Sequence, residues 1–409
     1  LWHPYTATGK KYAREFIMRT VYLTLTIFAV LALCSIPGCA PQQELPAEIP
    51  IGCVMPLSSA PAGGPNLVKA AQLAVNEING RGGLEGKRLR LVIEDQGPSA
   101  ATALYAVHKL VEEQKVRVII GCVTSEAVLA AGPYLESTGV LLVSPSATSS
   151  SLGGYSWSRW TFRICPGDSL QGGVVSTLIK DMGYKKVAML VQDTVYGKGI
   201  EAMAKDYLGG NVEIVASLTY DPTKLSYLSE LNTIKEARPD CVLHVGLYTD
   251  GAVVYAQALK EGMENIPWIA VDGSYDMPLE KYLDAARFME KAVTGTVPVP
   301  DVQSPVYKAF AYNYNNVYQF GPTVYCDTAY DGVNMIAAAL KKANTYNGGA
   351  VRDALLVVGN NYPGASGSIT FDQSGERIAG SYGIWKVVMK GTQYQYVITG
   401  AAVSFIKPK

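Results

Sequence analysis

From residue 51 onward, short and mainly apolar runs alternate with longer stretches in which apolar positions recur every three to four residues. The runs at 51–56, 89–94, 116–120 and 140–143 read as strands. Between them, 66–79 places Leu67, Ala70, Ala71, Ala74, Val75 and Ile78 on one helical face, and 101–113 and 126–135 are also read as helices. Gly80-Arg81-Gly82-Gly83 ends the first helix. Strands that lack a polar face and are separated by helices belong to a parallel sheet covered on both sides.

The pattern then starts again. Strands are expected at 186–191, 212–218, 241–245 and 268–271, with helices at 170–182, 199–208, 225–236 and 251–261. This is a second α/β unit of similar size. Helices at 306–318 and 328–343 have no strong strand between them and read as additions to the first unit. The tail, 367–406, changes to period two through Ile369 and Phe371, then Tyr382, Ile384, Lys386 and Val388, then Tyr394, Tyr396 and Ile398. Antiparallel hairpin strands are the expected result, with turns at Gly375 and Lys390-Gly391. The fold class is therefore α/β: two Rossmann-like parallel-sheet lobes joined by a multi-strand hinge. The expected division is 50–165 with 296–368 for one lobe, and 166–295 with 369–409 for the other. Clefts form between such units, and hinge closure is their expected motion.

The segment before residue 50 is of a different kind. Residues 21–33 are almost wholly apolar and follow Arg19, with Lys10, Lys11 and Arg14 further back. A basic region before a short apolar core reads as an export signal. At 13 residues the core is shorter than the roughly 20 needed to span a bilayer. Ile36-Pro37-Gly38-Cys39 resembles a bacterial lipobox, so 1–38 is read as leader and lipoprotein signal and Cys39 as the lipidated residue. The polar, Pro-rich stretch 39–49 reads as a tether. Met18 is a candidate start. The protein is expected outside the cytoplasm, in the periplasm or on the outer face of the membrane, held there by lipid.

The 409 residues carry 35 basic and 35 acidic side chains, which excludes a generally basic nucleic-acid binder. Loss of 1–38, with four basic residues and one acidic, leaves a net charge of −3. Tyr is frequent, at 26 against 8 Phe, and suits clefts because it joins an apolar face to a polar tip. Beyond Cys39 stand Cys53, Cys122, Cys165, Cys241 and Cys326. Most sit in apolar runs, where buried free thiols are the default. Export permits disulfides, and Cys53 with Cys122, on expected neighbouring strands, is the candidate pair. There is no CxxC and no metal-like Cys/His spacing.

The order of several short motifs resembles the branched-chain amino-acid-binding protein family, the type I periplasmic receptors for leucine, isoleucine, valine and related solutes. The resemblance runs over roughly 49–400. It rests on IGCVMPLS at 51–58, AVNEINGRGGLEGKRLRLVIED ending at Asp95, GVLLVSPSAT at 139–148, Phe162-Arg163-Ile164, DTVYG at 193–197 and GSITFDQSG at 367–375. It implies the type I periplasmic binding protein fold and an interlobe site for an amino acid or related amide or urea-like solute. It also implies an ABC importer as partner, with no cofactor, no metal and no catalysis. A monomer is expected. A sensory receptor built on the same clamshell, or a hydrolase on this scaffold, stay open as alternatives.

An amino acid's carboxylate requires backbone N–H groups and hydroxyls, best supplied at a helix N-terminus. Thr124 and Ser125 precede one helix, and Ser146, Ala147 and Thr148 follow a strand end. The blander reading, helix capping, weakens when two such runs sit at the carboxyl ends of adjacent strands, where α/β sheets bind ligands. The ammonium requires a carboxylate. Asp272, followed by Gly273, matches the family's acidic partner, and Asp168 is a second candidate. By resemblance Tyr196 closes over the ligand, with Tyr248 on the same wall. The loop Gly63-Gly64-Pro65-Asn66 lacks the aromatic the family often carries there.

Catalytic signatures fail at particular positions. A P-loop ending at Gly86-Lys87 would need Gly where Arg81 stands. Gly167-Asp168-Ser169-Leu170-Gln171 lacks the final Gly of a nucleophile elbow. Gly197-Lys198-Gly199-Ile200-Glu201-Ala202 lies beyond a five-residue loop instead of in a tight strand–helix turn. His108 and Glu112, one helical turn apart, read as a solvated pair.

Overall fold

The computed structural model describes residues 44–60 and 63–406. The leader, the export signal and Cys39 lie outside the described residues. The strands of the first lobe are β1 (Glu48–Met55), β2 (Arg88–Asp95), β3 (Val118–Gly121), β4 (Leu141–Ser144) and β5 (Thr161–Pro166). Helices α1 (Gly64–Gly80), α2 (Ala100–Glu112) and α3 (Ser125–Thr138) connect them. The second lobe opens with α4 (Asp168–Asp181) and continues β6 (Lys186–Gln192), α5 (Val195–Leu208), β7 (Glu213–Tyr220), α6 (Leu228–Ala237), β8 (Cys241–Val245), α7 (Tyr248–Lys260), β9 (Trp268–Ala270), α8 (Leu283–Ala292) and β10 (Val293–Pro298). The chain then returns for α9 (Pro305–Tyr318), α10 (Cys326–Ala343), α11 (Gly348–Val358), β11 (Tyr362–Gly364), β12 (Gly367–Ile369) and β13 (Glu376–Arg377). It ends in β14 (Ala379–Lys390) and β15 (Gln393–Ile406).

The first sheet has the order β13-β5-β4-β3-β1-β2, and all of its pairs are parallel. The second runs β15-β14-β10-β9-β8-β6-β7. It is parallel from β7 to β10 and antiparallel in its last two pairs. The period-two tail is thus an edge hairpin, with Gly391 at φ 62° in its turn. The residues expected on the buried face of α1, from Leu67 to Ile78, are all buried.

Each sheet is covered on both faces. In the first lobe α1 and α10 pack on one side, α2 and α3 on the other. In the second, α6, α7 and α8 face α4 and α5 across the sheet. Alternation along β3 sends Val118 and Ile120 into the α1/α10 core together with Cys53 of β1. The strand ends at Gly121, φ 120°, and Cys122 beyond it enters the α2/α3 core instead. The two strands are neighbours, as expected, but these thiols lie on opposite faces and the candidate disulfide does not form. Burial pushes both thiols up to about 12.

Two boundaries differ from the sequence reading. The tether does not extend to residue 49: Leu45 is buried, and Glu48 and Ile49 already pair with Arg88 and Leu89. The crossings between lobes also move. Strand β10 keeps 296–298 in the second sheet, and Glu376 and Arg377, placed in the second lobe, pair beside β5 in the first. The sequence reading placed no helix at α8 or α11 and no strand at β10. Two threonines and Gly295 conceal β10. That glycine is required, because a Cβ there would lie 2.2 Å from the Trp385 indole. The chain crosses between sheets after β5, β10 and β13, which makes the hinge three-stranded.

Candidate functional site

The carboxyl ends of β1, β3 and β4 face those of β6, β8 and β9 across a cavity of about 350 Å³. On the first lobe, Gly121 at φ 120° ends β3; its hydrogen sits where a Cβ would meet the Val54 carbonyl at 2.1 Å. Three residues later Thr124 caps α3, its Oγ1 accepting the Ala127 N–H at 3.4 Å. The capping reading therefore holds for Thr124, which also lines the cavity. Ser144 ties the two strand ends together. Its hydroxyl donates to the Cys122 carbonyl at 2.5 Å and accepts from the Ala147 N–H at 3.0 Å. Ser146 adds a bond to the Val123 carbonyl at 2.9 Å. Ser125, the first residue of α3, also lines the cavity.

On the second lobe Thr194 caps α5, which fixes Tyr196 in its first turn. The Tyr196 hydroxyl donates to Asp272 Oδ1 at 2.9 Å and accepts the Gly273 N–H at 3.1 Å. Asp272 opens a short 3-10 turn, Asp272–Ser274, directly after β9. Its second oxygen accepts from Tyr325 at 2.5 Å. Burial raises the Asp272 pKa, and the Tyr325 and Tyr196 hydroxyls counter that rise. Burial and the Asp272 charge hold both phenols well above their usual range, so they remain donors.

Seven of the ten residues expected at a ligand site line the cavity: Thr124, Ser125, Ser146, Tyr196, Tyr248, Asp272 and Gly273. Ala147, Thr148 and Asp168 do not. All three are buried, and the Asp168 N–H donates to the Thr148 carbonyl at 2.8 Å. Among the described residues Thr148 Oγ1 and both Asp168 oxygens find no partner of good hydrogen-bond geometry. Thr148 nonetheless lies near enough to oppose the burial that raises the Asp168 pKa well above the carboxylate range.

The sequence reading missed Glu126, Gln192, Tyr275, Asp276 and Tyr325, all of which line the cavity. Tyr325 comes from the start of α10, which sequence identified only as a helix of the first lobe. The lobes touch through it. They also touch through the Tyr196 N–H to Glu126 Oε1 at 3.1 Å and the Ser149 hydroxyl to the Val195 carbonyl at 3.0 Å. Among the described residues three that bear a carboxyl line the cavity and neither Lys nor Arg does. The rest of the wall is mainly apolar, including Pro56, Leu67, Val123, Leu247 and Pro278. His108 and Glu112 form an exposed pair at 2.9 Å, away from this site.

Two parallel-sheet lobes, a three-stranded hinge and a cavity walled by both lobes define a bilobed solute receptor. The chain belongs to the periplasmic binding protein family, whose sequence pattern it matches over residues 48–392. It is 27% identical over 381 residues to the Leu/Ile/Val-binding protein BraC3 of Rhizobium johnstonii, covering 89% of this chain and 96% of that one. Among solved structures it resembles the branched-chain amino acid transporter substrate binding protein LivJ of Streptococcus pneumoniae in complex with isoleucine. That match has 27% identity and a TM-score of 0.74 and covers 88% and 99% of the two chains. The leucine binding protein LivK of Thermotoga maritima shares the fold, with a TM-score of 0.76 at 22% identity and coverage of 88% and 99%.

Proposed function

We propose that this receptor captures a free amino acid in the interlobe cavity, presents it to the permease of an ABC importer, and performs no chemistry on it. The observation that carries the reading is the polarity of the cavity. One end offers the α3 N-terminus with Ser125 and Ser146, and the other offers Asp272 held by two tyrosine hydroxyls. A carboxylate is stabilised at the first and an ammonium at the second. Both charges of a zwitterion are then matched, in a mainly apolar cleft that strengthens each contact.

Thr148 and Asp168 are buried and do not line the cavity, so this reading includes them as solute contacts only if closure on the solute uncovers them. The isoleucine held by the Streptococcus pneumoniae LivJ structure supports an amino acid. Export, a lipid anchor at Cys39 and a monomeric state belong to the same proposal. Among the described residues no helix is long and apolar enough to cross a membrane.

Titration calorimetry of the protein against the twenty amino acids tests this. At least one should bind in the micromolar range or tighter, and Asp272→Asn should weaken it by more than thirtyfold, as expected on loss of a buried charge partner. Binding that survives Asp272→Asn, or no heat from any amino acid, would sink the reading.

A further inference from the structure

Asp276 lies four residues beyond Asp272, on the same wall of the cavity. Its backbone is left-handed, with φ 64°, a conformation that Asp tolerates better than most side chains. One backbone N–H reaches its carboxyl, that of Val324 from the opposite lobe, at 3.4 Å. Among the described residues neither Lys nor Arg lines the cavity, so none of them brings a cation to it there. Burial raises its pKa to about 6, which leaves it ionised at neutral pH. An ionised carboxylate in a mainly apolar wall is costly until a positive charge pairs with it.

A neutral amino acid does not supply that charge. It has one ammonium, and Asp272 takes it. Asp276 then stays unpaired in a cleft that the ligand has made drier. The surroundings fit a cation better than an apolar side chain. Tyr248 and Tyr275 also line the cavity; burial raises their phenolic pKa values, and the nearby Asp276 charge adds to the rise. Tyrosine faces attract ammonium and guanidinium groups. The first-lobe loop contributes only Pro56, Ala60, Gly63 and Gly64 to the wall, and these small groups leave length for a long side chain.

We infer that the solute is a basic amino acid of the lysine, ornithine or arginine type, whose side-chain cation pairs with Asp276 between Tyr248 and Tyr275. The inference rests on the amino-acid reading of the same cavity and adds the class of side chain.

The test is titration calorimetry of the full chain with L-arginine, L-lysine, L-leucine and L-phenylalanine. Arginine or lysine should bind at least tenfold more tightly than leucine and phenylalanine. Asp276→Asn, an isostere that keeps the left-handed backbone accessible, should cut that preference to less than threefold, with basic amino acids binding more weakly and leucine, which no longer leaves a charge unpaired, binding more tightly. Asp276→Ser provides the same comparison if the amide variant fails to fold. Leucine or phenylalanine binding as tightly as the basic amino acids overturns the inference and leaves the amino-acid receptor standing. Basic amino acids binding equally well to wild type and Asp276→Asn overturns it too. If no amino acid binds, both readings fall together.

Discussion

Tyr325 and Asp272 join the two lobes across the cavity, the phenol donating to Oδ2 at 2.5 Å. Tyr325 reaches this position from a left-handed backbone, φ 65°, at the residue that opens α10. A bulky residue held there costs about 1–3 kcal/mol, and such strain gathers at ligand clamps. On the amino-acid reading proposed above, the hydrogen bond would couple solute capture to closure, because the same carboxylate would serve the solute and the opposite lobe.

Tyr325→Phe removes the hydroxyl and little else. A hydrogen bond to a charged group contributes about 1.5–3 kcal/mol, so solute affinity should fall roughly tenfold or more. Small-angle scattering of the variant without solute should also give a larger radius of gyration than wild type. Unchanged affinity and an unchanged radius would mean that the bond does not hold the lobes together.

Gly273→Ala probes the other side of the same carboxylate. A Cβ at Gly273 would sit 2.5 Å from the Gly246 carbonyl and 2.7 Å from the Tyr196 hydroxyl. Tyr196 must then leave Asp272 or the 3-10 turn must shift, at a cost of about 1–3 kcal/mol. Calorimetry should show a loss of affinity greater than tenfold, and circular dichroism should show an intact fold. An alanine variant that binds like wild type would show that the turn has room to yield.

The fold was largely legible in sequence, because apolar runs and 3.6-residue periodicity report burial directly. The site was legible only in part. Thr124, Ser125, Ser146 and Asp272 sit at strand ends, and that position follows from the strand pattern itself. Tyr325 and Asp276 do not belong to any periodic signal. Their place depends on how a later helix packs back onto the first lobe and on a left-handed turn after β9. Cys53 and Cys122 illustrate the same limit. Strand adjacency was readable, but the face each thiol takes depends on where β3 ends relative to β1.

Acid stability should depend on a buried chain beneath the site. Gln192 donates to Asp250 at 3.0 Å, and Tyr220 donates to the same carboxylate at 2.5 Å. With its own proton given to Asp250, the Tyr220 oxygen is left to accept from His244 Nε2 at 3.1 Å. Burial depresses the His244 pKa from 6.5 to about 3 and raises the Asp250 pKa from 3.8 to about 6. The His244 contribution is present above pH 6.5 and is lost as pH falls towards 3. The Asp250 contribution is present below pH 3.8 and is lost as pH rises through 6. Between pH 6 and 4 the two oppose each other. Asp250→Asn removes one of them, so its Tm should drop more than that of wild type when the pH is lowered from 7 to 4.5. Parallel Tm curves would show that these groups do not titrate with folding.

Thr148 separates stability from binding. Its buried hydroxyl has no well-formed partner among the described residues, and leaving such a group unsatisfied costs about 1–3 kcal/mol. Thr148→Val keeps the shape and deletes the hydroxyl, so thermal denaturation without solute should show an equal or higher Tm. If the hydroxyl is held ready for the solute, calorimetry should show affinity falling as stability holds or rises. A purely structural threonine would give the opposite pair of results, a lower Tm with affinity unchanged. The Asp168→Asn variant should behave in the same direction, since both Asp168 oxygens are buried beside Thr148 without a well-formed partner. Its Tm gain should grow as the pH rises above the ordinary carboxylate range, because the raised Asp168 pKa makes the ionised form the costly one.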